Sequence, residues 1–500
     1  MSSHRSPTGT EVLADLQPRL VWQLFEEISR IPRCSKKEQK IRSWIKSWAR
    51  RRSIPCKTDG AGNLLLQRGA SPGWERVPVL VLQAHLDMVC VQAEGVRMNF
   101  AKDPIPIRLD GSTLRAQGTT LGADNGIGVA YGLAALIDPE LVCGTLEVLL
   151  TVDEEAGGSG ALGVKSGFFT GRYLLNLDSE EMGVITIGTA GLEISDCTLA
   201  LRTKRRAGSA AVSLGIRGLA GGHSGMEIHL RRSNAIKLAL DALNSLRAKM
   251  PLQLCSFDGG EAANSIPAKA DWVVLVPRED KQRAVSRLEQ WRRETLERAR
   301  ESEPGLEISI RPDGTAKACS LEQTDSICRL LTEIPHGTLA YSKDVEGLVE
   351  SSNNLAQIRS RANSIVVTVS YRSCAASTLD ELGATIKRIG ERHGAKVRQH
   401  SRAPGWTAKP KSPFSTLVDR HYTSVLGRPV QLKAFHAGLE CGIFTDLAPE
   451  LQMASIGPDI HAVHTPEEHV DIPSVAALWD VLRRIVTGMA ELSETGVADG

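Results

Sequence analysis

Acidic and imidazole side chains stand at five places along the chain, most of them directly after a short apolar run. These side chains belong to His85, Asp87, Asp124, Glu154, Glu155, Asp178 and His464. In an open α/β sheet, ligands bind at the edge formed by the carboxyl ends of the strands. Imidazole nitrogens and carboxylate oxygens are ligands suited to Zn²⁺ or a similar divalent ion. The pattern therefore predicts a metal site assembled from residues that are distant in sequence.

The number of candidate ligands indicates two metal ions rather than one. One ligand from each place gives five, which exceeds the four positions of a tetrahedral zinc site. Two ions about 3.5–4 Å apart that share a bridging carboxylate accommodate such a set. We predict that Asp124 is the bridge, because the glycines around it in residues 121–128 let the backbone approach closely.

The adjacent carboxylates Glu154 and Glu155 need different roles. One of them can bind a metal ion while the other, which cannot comfortably reach the same ion, stays free as a general base. On the residues alone, either glutamate can be the ligand. Asp87 follows His85 by two residues and is suited to accept the second N–H of that imidazole ring.

Each of these signals also has a commoner interpretation that involves no chemistry. A His-x-Asp sequence after a strand is usually a solvated loop, and a Glu-Glu pair is usually surface charge. The glycine-rich sequence around Asp124 is most often a turn, and His464 is one of 12 histidines. The metal site is favoured because all of these features occur in one chain, in order along it.

The elements that would position these residues are short apolar strands separated by helices. We predict strands within 64–66, 77–82, 146–152 and 173–177, and a helix over 127–137. A helix over 35–52 is expected to begin with a capping box formed by Ser35 and Glu38. Continuous apolar strands are typical of a sheet that helices cover on both faces. The first part of the chain is therefore predicted to be α/β.

The composition changes near residue 199, where the basic and polar stretch 201–208 interrupts the apolar pattern. Beyond this stretch we predict strands at 212–219, 272–276 and 365–371, with helices around 236–246 and 280–300. Such a mixture is typical of a separate α+β unit, which we expect to end near residue 395. The remaining chain returns to a helix over 413–426, a strand over 430–434 and a last helix from residue 475.

Composition and charge exclude several classes of partner. The 500 residues include 60 Lys and Arg against 58 Asp and Glu, a net charge of +2, so no nucleic acid is expected. No apolar run approaches the ~20 residues that span a membrane. Residues 1–18 lack the apolar core of a signal peptide, and the ten cysteines form no Cys-x-x-Cys pair. We therefore expect free thiols and a cytoplasmic protein.

Longer strings resemble the co-catalytic zinc peptidases related to aminoacylase and glutamate carboxypeptidase. They are AHLDMV (84–89), TTLGADNGIG (119–128), TVDEEAG (151–157), NLDSEE (176–181), GLAGGHSGMEI (218–228), HAGLECGIF (436–444), SIGP (455–458) and HTPEE (464–468). Within this family the chain is most similar to the aminoacyl-histidine dipeptidases, also called Xaa-His or cytosol non-specific dipeptidases. The resemblance covers about residues 18–492.

The resemblance implies a ligand set for two divalent metal ions. His85 and Asp178 would bind one ion, Glu155 and His464 the other, and Asp124 would bridge them. Zinc is the metal it implies, with manganese and cobalt as alternatives.

The resemblance also implies roles for residues that bind no metal. Glu154 would be the general base, and Asp87 would orient His85. His223 is similar to a donor that stabilises the oxyanion in relatives. Without the resemblance, the sequence around His223 could equally be a simple loop.

Further positions resemble substrate-binding residues. Asn264 and Arg372 would hold the polar backbone or the terminal carboxylate of the substrate, which a guanidinium grips bidentately. His436 and Gly438 align with a loop that contacts substrate, as does Glu440, and their individual roles stay open. An arginine at a strand end is otherwise usually solvated. Cys441 invites a cysteine-nucleophile interpretation, which no local thiol-hydrolase signature supports.

The family combines a catalytic α/β domain, whose mixed sheet is flanked by helices, with an inserted α+β lid or dimerisation domain. For this chain the resemblance implies a first catalytic segment over 1–195, the inserted domain over 196–395 and a second catalytic segment over 396–500. Relatives often dimerise through the inserted domain, although compact members act as monomers. A homodimer through this domain is therefore one of two expectations.

The expected function is hydrolysis of unblocked dipeptides, Xaa-His dipeptides among them, by metal-activated water with a glutamate base. One alternative is an N-acyl-amino-acid amidohydrolase with the same site. The two functions differ in whether the substrate needs a free amine, so a dipeptide and its N-acetylated form would distinguish them. The other is a non-catalytic binding or scaffold protein, against which the intact pair Glu154 and Glu155 argues.

Overall fold

The computed structural model describes residues 13–313, 317–343, 345, 347–436 and 438–495. Its contacts divide the chain into two compact units. The first unit contains the described residues up to Gly188, together with Ala408–Ala434 and those from Leu439 onward. The second unit contains the described residues of Thr189–Thr407 and Phe435–Gly438.

The described residues contain twelve α-helices, α1 to α12 in chain order. They are α1 (Arg19–Ser29), α2 (Gln39–Arg51), α3 (Ala123–Ile137), α4 (Ser159–Gly163), α5 (Ala235–Arg247), α6 (Lys281–Ala299), α7 (Leu321–Glu333), α8 (Ala376–Arg392), α9 (Pro413–Leu426), α10 (Glu440–Leu447), α11 (Ile472–Gly488) and α12 (Glu491–Thr495). Two short 3₁₀ helices lie at Ile228–Leu230 and Arg278–Asp280.

The strands are numbered in the same way. They are β1 (Cys56–Thr58), β2 (Leu64–Arg68), β3 (Leu80–His85), β4 (Ile107–Asp110), β5 (Thr113–Ala116), β6 (Leu146–Thr151), β7 (Tyr173–Asn176), β8 (Val184–Thr189), β9 (Gly191–Ala200), β10 (Lys204–Arg205), β11 (Ser209–Arg217), β12 (Gln253–Gly259), β13 (Ala270–Pro277), β14 (Glu307–Asp313), β15 (Lys317–Ala318), β16 (Gly337–Tyr341), β17 (Val349–Arg361), β18 (Ser364–Ser373), β19 (Lys396–Ala403), β20 (Gln431–Phe435), β21 (Gln452–Ser455), β22 (Ile460–His461) and β23 (His469–Asp471).

The first unit is built on an eight-stranded sheet of order β1-β2-β6-β3-β7-β21-β8-β20. The central strands β6, β3, β7 and β21 run parallel, whereas β2 pairs antiparallel with β6 and β21 with β8. A smaller sheet of order β22-β23-β5-β4 belongs to the same unit. The predicted α/β class with a mixed sheet and flanking helices is confirmed.

The helices of the first unit bury large aromatic side chains against this sheet. Trp22 and Phe25 of α1 are fully buried, and α1 packs on α3. Tyr131 of α3 stacks on Trp479 of α11, with ring centroids 6.0 Å apart, and donates its hydroxyl hydrogen to the carbonyl oxygen of Val475 at 2.8 Å. These contacts fix α3, whose first turn carries Asp124.

The helix predicted over 35–52 is shorter at its beginning than expected. It begins at Gln39, and the residue before it, Glu38, makes no side-chain cap. The predicted capping box is therefore wrong, because Lys36 adopts a positive φ of 66° and breaks the turn. The hydroxyl of Ser35 instead donates to the carbonyl oxygen of Met88 at 3.4 Å.

Cys34 and Cys90 are joined by a disulfide bond, with their Cα atoms 5.6 Å apart. A parallel bridge between Cys34 and Met88 brings the two segments together. The expectation of free thiols is wrong for this pair and holds for the other eight cysteines. A separation of 56 residues gives no spacing signal for such a bond.

The second unit is built on a large antiparallel sheet of order β14-β11-β13-β12-β17-β18-β9-β19, with β16 paired to β17. Helices α5, α6, α7 and α8 pack against this sheet. Phe257, Trp272 and Tyr371 are fully buried in the resulting core. No helix in either unit, over the described ranges, is long and apolar enough to cross a membrane.

Candidate active site

Three parallel strands of the first unit end at the same level and carry the acidic and imidazole residues. His85 is the last residue of β3 and lies opposite Thr151, the last residue of β6. Gln83 of β3 lies opposite Asn176, the last residue of β7. The loops that follow these strands therefore emerge side by side at one edge of the sheet, where such sheets bind ligands.

Five side chains at this edge form one continuous cluster around Asp124. The Nε2 atom of His85 lies 3.0 Å from Oδ1 of Asp124 and 3.2 Å from Oδ1 of Asp178. The Nε2 atom of His464 lies 3.4 Å from Oδ2 of Asp124 and 2.9 Å from Oε1 of Glu155. The two oxygens of Asp124 thus face different imidazoles.

The chemistry of this cluster fits divalent cations. Ligand atoms of His85, Asp124 and Glu155 all lie within 4.8 Å of one another. Buried carboxylates require compensation by positive charge. Oδ1 of Asp178 is buried and has no hydrogen-bond partner among the described residues, although it lies 3.2 Å from His85. Two nitrogen donors and three carboxylates are a ligand set for zinc or a similar ion.

Carboxylates surround both imidazoles and raise their pKa values. Hydrogen bonds to Asp124 and Glu155 raise the pKa of His464 to about 10. Burial lowers the pKa of His85, but the charge of Asp178 and the contacts with Asp124 and Asp87 outweigh burial and raise it. A metal ion that binds here displaces protons from the imidazoles.

Asp87 is fully buried and holds several parts of the cluster together. Its Oδ1 lies 3.3 Å from Nδ1 of His85, close enough for an ion pair but without the alignment of a hydrogen bond. Its two oxygens accept the backbone N–H groups of Glu154 at 3.0 Å and Glu155 at 3.2 Å. Burial raises the pKa of Asp87, but the contacts with His85 and these amides outweigh burial and lower it to about 2.

Glu154 differs from its neighbour Glu155 in its surroundings. Burial raises the pKa of Glu154 to about 7, and the negative charges of Glu155, Asp124 and Asp87 add to this effect against the charge of His85. A carboxylate with a pKa near neutrality is suited to accept and return a proton. Oε1 of Glu155, in contrast, contacts His464.

A buried polar network underlies the cluster. The carboxylate of Glu440 accepts hydrogen bonds from the Thr151 hydroxyl at 2.6 Å and the Gln83 amide at 2.7 Å. Burial and the charge of Glu154 raise the pKa of Glu440 to about 8. Cys441 is fully buried and its pKa is raised well above the usual range, so it is not a reactive thiolate.

Arg33 is a buried guanidinium beside the cluster, and its side chain is 2% exposed. One of its nitrogens donates to the carbonyl oxygens of Asp87 at 2.9 Å and Leu86 at 3.2 Å. The other donates to the carbonyl oxygen of Gly122. Arg33 therefore links the loop after β3 to the loop that carries Asp124.

His223 lies in the second unit, in a turn that fixes its protonation. Its Nδ1 atom accepts the N–H groups of Met226 at 3.0 Å and Gly225 at 3.3 Å. The neutral ring therefore carries its proton on Nε2, which can donate a hydrogen bond. Burial lowers the pKa of His223, and the charge of Arg372 adds to this effect against the charge of Glu227.

Arg372 and His436 are buried near His223 in the same unit. Burial lowers the pKa of Arg372 to about 10, and its Nε atom has no hydrogen-bond partner among the described residues. Nε2 of His436 lies 2.7 Å from the hydroxyl of Ser352. Burial and the charge of Arg372 lower the pKa of His436 to about 3. A Cβ atom on Gly225 would lie 2.6 Å from the carbonyl oxygen of His436 and 3.0 Å from the His223 ring, so His436 and His223 lie close together around Gly225.

Asn264 and Gly438 are more exposed than these residues. The carbonyl oxygen of Asn264 accepts the N–H of Ser224 at 2.8 Å, which places it beside the His223 turn. Gly438 is surrounded by open space, because a Cβ atom there would meet nothing within 4 Å.

The model for peptidase family M20/M25/M40 matches residues 81–488. The chain belongs to this family. The matched range spans both units, from β3 to the end of α11. The expected family is therefore confirmed, and the chain is a hydrolase of the M20 peptidase type.

Full-length relatives are similar to this chain. The cytosol non-specific dipeptidase of Escherichia coli is 36% identical over 95% of this chain and 98% of its own. A crystal structure of aminoacylhistidine dipeptidase from Vibrio alginolyticus superposes with a TM-score of 0.89, at 34% identity over 95% of this chain and 97% of that one. Aminopeptidase PepT from Bacillus cereus, at 16% identity and a TM-score of 0.55, shares the fold over 95% of this chain and 99% of its own.

Sequence reasoning about the M20 motifs missed Arg33 and the network below the cluster. Arg33 acts on backbone oxygens 53 to 89 residues away, so no local pattern marks it. Gln83 lies inside the apolar strand β3 and is 1% exposed. A polar residue at a position that must be buried is the one signal that could have singled it out.

Proposed function

We propose that this M20 peptidase is a metal-dependent dipeptidase that hydrolyses unblocked dipeptides, Xaa-His dipeptides among them. The observation that carries the proposal is the position of Asp124, whose two oxygens face His85 and His464 at 3.0 Å and 3.4 Å. A carboxylate placed between two imidazoles, each with a further carboxylate, is the ligand set of a two-metal site. The Escherichia coli and Vibrio relatives are named as dipeptidases, which supports a dipeptide substrate.

We assign His85 and Asp178 to one divalent ion, Glu155 and His464 to the other, and Asp124 to both. Zinc is the metal we propose first, because nitrogen and carboxylate ligands suit it, with manganese or cobalt as alternatives. When bound, such ions lower the pKa of water and polarise the carbonyl that is attacked. The protein residues then have to move protons and hold the substrate.

Glu154 is the proposed general base. Its carboxylate, with a pKa near 7, takes a proton from the attacking water and returns it to the leaving amine. Asp87 positions the residues of this step, because it accepts hydrogen bonds from the backbone N–H groups of Glu154 and Glu155 and contacts His85.

The second unit supplies the proposed substrate-binding groups. The Nε2–H group of His223 is suited to stabilise an oxyanion, and the buried Arg372 is suited to a carboxylate. Asn264, His436 and Gly438 are proposed to contact the polar backbone of the substrate. We propose the second unit as the inserted lid or dimerisation domain, with a homodimer formed through it and a monomer as the two alternatives.

We propose that the protein acts in the cytoplasm, because its Escherichia coli relative is named a cytosol dipeptidase.

A panel of substrates tests the proposed function. Chelated protein is resupplied with zinc, manganese or cobalt and assayed on free dipeptides and on their N-acetylated forms. We expect metal-dependent hydrolysis of the free dipeptides and at least a tenfold lower kcat/KM for the acetylated ones. A preference for the acetylated forms would make the protein an N-acyl-amino-acid amidohydrolase, and metal binding without any hydrolysis would make it a binding protein.

A further inference from the structure

Glu468 is a buried carboxylate that the proposed mechanism does not use, and it is 2% exposed. Its Oε2 atom accepts the N–H groups of Leu121 at 2.8 Å and Gly122 at 3.0 Å. Its Oε1 atom accepts those of Ala123 at 2.8 Å and Asp124 at 3.4 Å. One side chain therefore binds four consecutive backbone amides.

This arrangement explains how a charge can be buried there. An ionised carboxylate without partners is costly inside a protein, whereas charge-assisted hydrogen bonds from backbone amides satisfy it. The four amides lie at the beginning of α3, where a helix leaves N–H groups without partners and favours negative charge. The contact therefore satisfies both sides and holds the segment 121–124 in one conformation.

The position of Glu468 in the chain relates it to the metal cluster. It follows His464 by four residues, and its own N–H donates to the carbonyl oxygen of Thr465 at 3.1 Å. The loop that carries His464 is thereby bonded to the loop that carries Asp124. The contact spans 344 residues between Glu468 and Asp124.

Arg33 holds the same segment from the other side. It donates to the carbonyl oxygen of Gly122 and to those of Leu86 and Asp87. Burial lowers the pKa of Arg33, and the negative charge of Glu468 opposes this effect. Arg33 and Glu468, which are buried and oppositely charged, therefore connect three segments of the chain. These segments carry the candidate metal ligands His85, Asp124 and His464.

We propose that Glu468 is a positioning residue for the metal centre, which acts with Arg33 to fix Asp124 relative to His85 and His464 before any ion binds. The inference rests on the proposed function, since it takes these three residues as metal ligands. Asp124 has little freedom of its own to adjust, because its N–H is bound by Glu468 and the carbonyl oxygen of Gly122, two residues before it, is bound by Arg33. Residues that orient metal ligands in this way typically change metal affinity or activity by about 10–100-fold when replaced.

The test compares Glu468→Gln with Glu467→Gln in the full-length protein. The glutamine side chain introduced by Glu468→Gln keeps one acceptor oxygen and places an NH₂ group against two of the backbone N–H groups. Glu467 is the neighbouring carboxylate, with a side chain that is 77% exposed, and it pairs with Arg115 at 3.5 Å. The measurements are zinc affinity of the chelated proteins, kcat, KM and thermal stability.

We expect Glu468→Gln to bind zinc about 10–100-fold more weakly and to lose kcat by a similar factor, while KM changes less than about threefold. Glu467→Gln should match the wild type within about twofold in every measurement. A folded Glu468→Gln protein with wild-type zinc affinity would overturn the proposal, and so would equal losses in both variants.

A second measurement needs no variant and keeps the proposal testable if Glu468→Gln does not fold. Hydrogen exchange on the chelated wild-type protein should give strong protection of the amides of residues 121–124 before metal is added. Rapid exchange of these amides in the folded protein would contradict the proposal. Neither the zinc nor the exchange measurement requires hydrolysis, so a protein that cleaves no dipeptide would refute the proposed function and leave this test intact.

Discussion

Gly122 is the residue at which the packing around Asp124 leaves no room for a side chain. It adopts a positive φ of 70°, and a Cβ atom there would lie 2.5 Å from the Arg33 guanidinium and 2.7 Å from the sulfur of Met88. The glycines around Asp124 were the reason to predict it as a bridging ligand. The structure gives that pattern a physical cause, which is the close approach of a buried arginine.

Replacing Gly122 with alanine should lower the free energy of unfolding by about 2–5 kcal/mol. A positive φ costs a non-glycine residue about 1–2 kcal/mol, and forcing atoms into a packed site adds about 1–3 kcal/mol. Gly427 is the matched control, because its φ of 65° is similar but nothing lies within 4 Å of a Cβ atom there. Urea unfolding of Gly427→Ala should give a loss of about 1 kcal/mol. Equal losses in the two variants would contradict the role given to Arg33.

Residue types and local spacing predicted Asp87, Asp124 and the Glu154–Glu155 pair as candidates, because each stands beside a strand end or among glycines. Arg33 and Glu468 could not be predicted in the same way. Their partners are backbone atoms of distant loops, up to 89 and 347 residues away, and backbone atoms leave no trace in the side-chain pattern.

At the scale of secondary-structure elements, the helix boundaries indicate where the local sequence is sufficient for a correct prediction. Helix α9 runs over Pro413–Leu426, as predicted, because Ser412 caps it, proline stands at its first position and Gly427 adopts the left-handed conformation that ends it. The capping box predicted at Ser35 failed, because Ser35 bonds to Met88, a residue of another loop. Local rules hold where no distant partner competes.

The start of α5 has a pH-dependent contact with His336. Asn234 caps this helix and its side-chain amide lies 3.3 Å from Nδ1 of His336. Burial lowers the pKa of His336 to about 4, and the charge of Lys237 adds to the effect. Between pH 6.5 and 4 the unfolded chain therefore binds a proton that the folded protein excludes, so this residue's contribution to stability is present above pH 6.5 and lost as the pH falls toward 4.

Replacing His336 with glutamine should remove this part of the pH dependence. Urea unfolding measured from about pH 7 to about pH 4.5 should give a shallower loss of stability for His336→Gln than for the wild type. Parallel curves for the wild type and His336→Gln would contradict the assignment.

At the scale of the whole molecule, the sequence predicted a mixed α/β sheet and a change of composition near residue 199. The second unit as described begins at Thr189, earlier than the composition change, because β9 is the strand that enters its antiparallel sheet. An apolar alternating strand does not reveal which of two sheets it joins. The pairing partner, β18, lies about 170 residues further along the chain.

The disulfide between Cys34 and Cys90 makes a prediction for the whole chain. In denaturant without reductant, eight thiols should react with a thiol reagent, and ten should react after reduction. Cys34→Ser should leave nine reactive thiols under non-reducing conditions, because the substitution removes the thiol of Cys34 and leaves Cys90 as a thiol beside the other eight. Ten reactive thiols in unreduced wild-type protein would contradict the disulfide.

The proposed hydrolysis depends most directly on Glu154 as the base beside a two-metal site. The decisive measurement is kcat for an unblocked dipeptide with zinc-loaded Glu154→Gln, alongside its zinc content and the control Glu181→Gln, whose exposed carboxylate pairs with Lys433 at 2.9 Å. We predict a loss of kcat of about 10²–10⁴-fold with two zinc ions retained, and wild-type kcat for the control. Wild-type kcat in Glu154→Gln with its zinc in place would contradict the account.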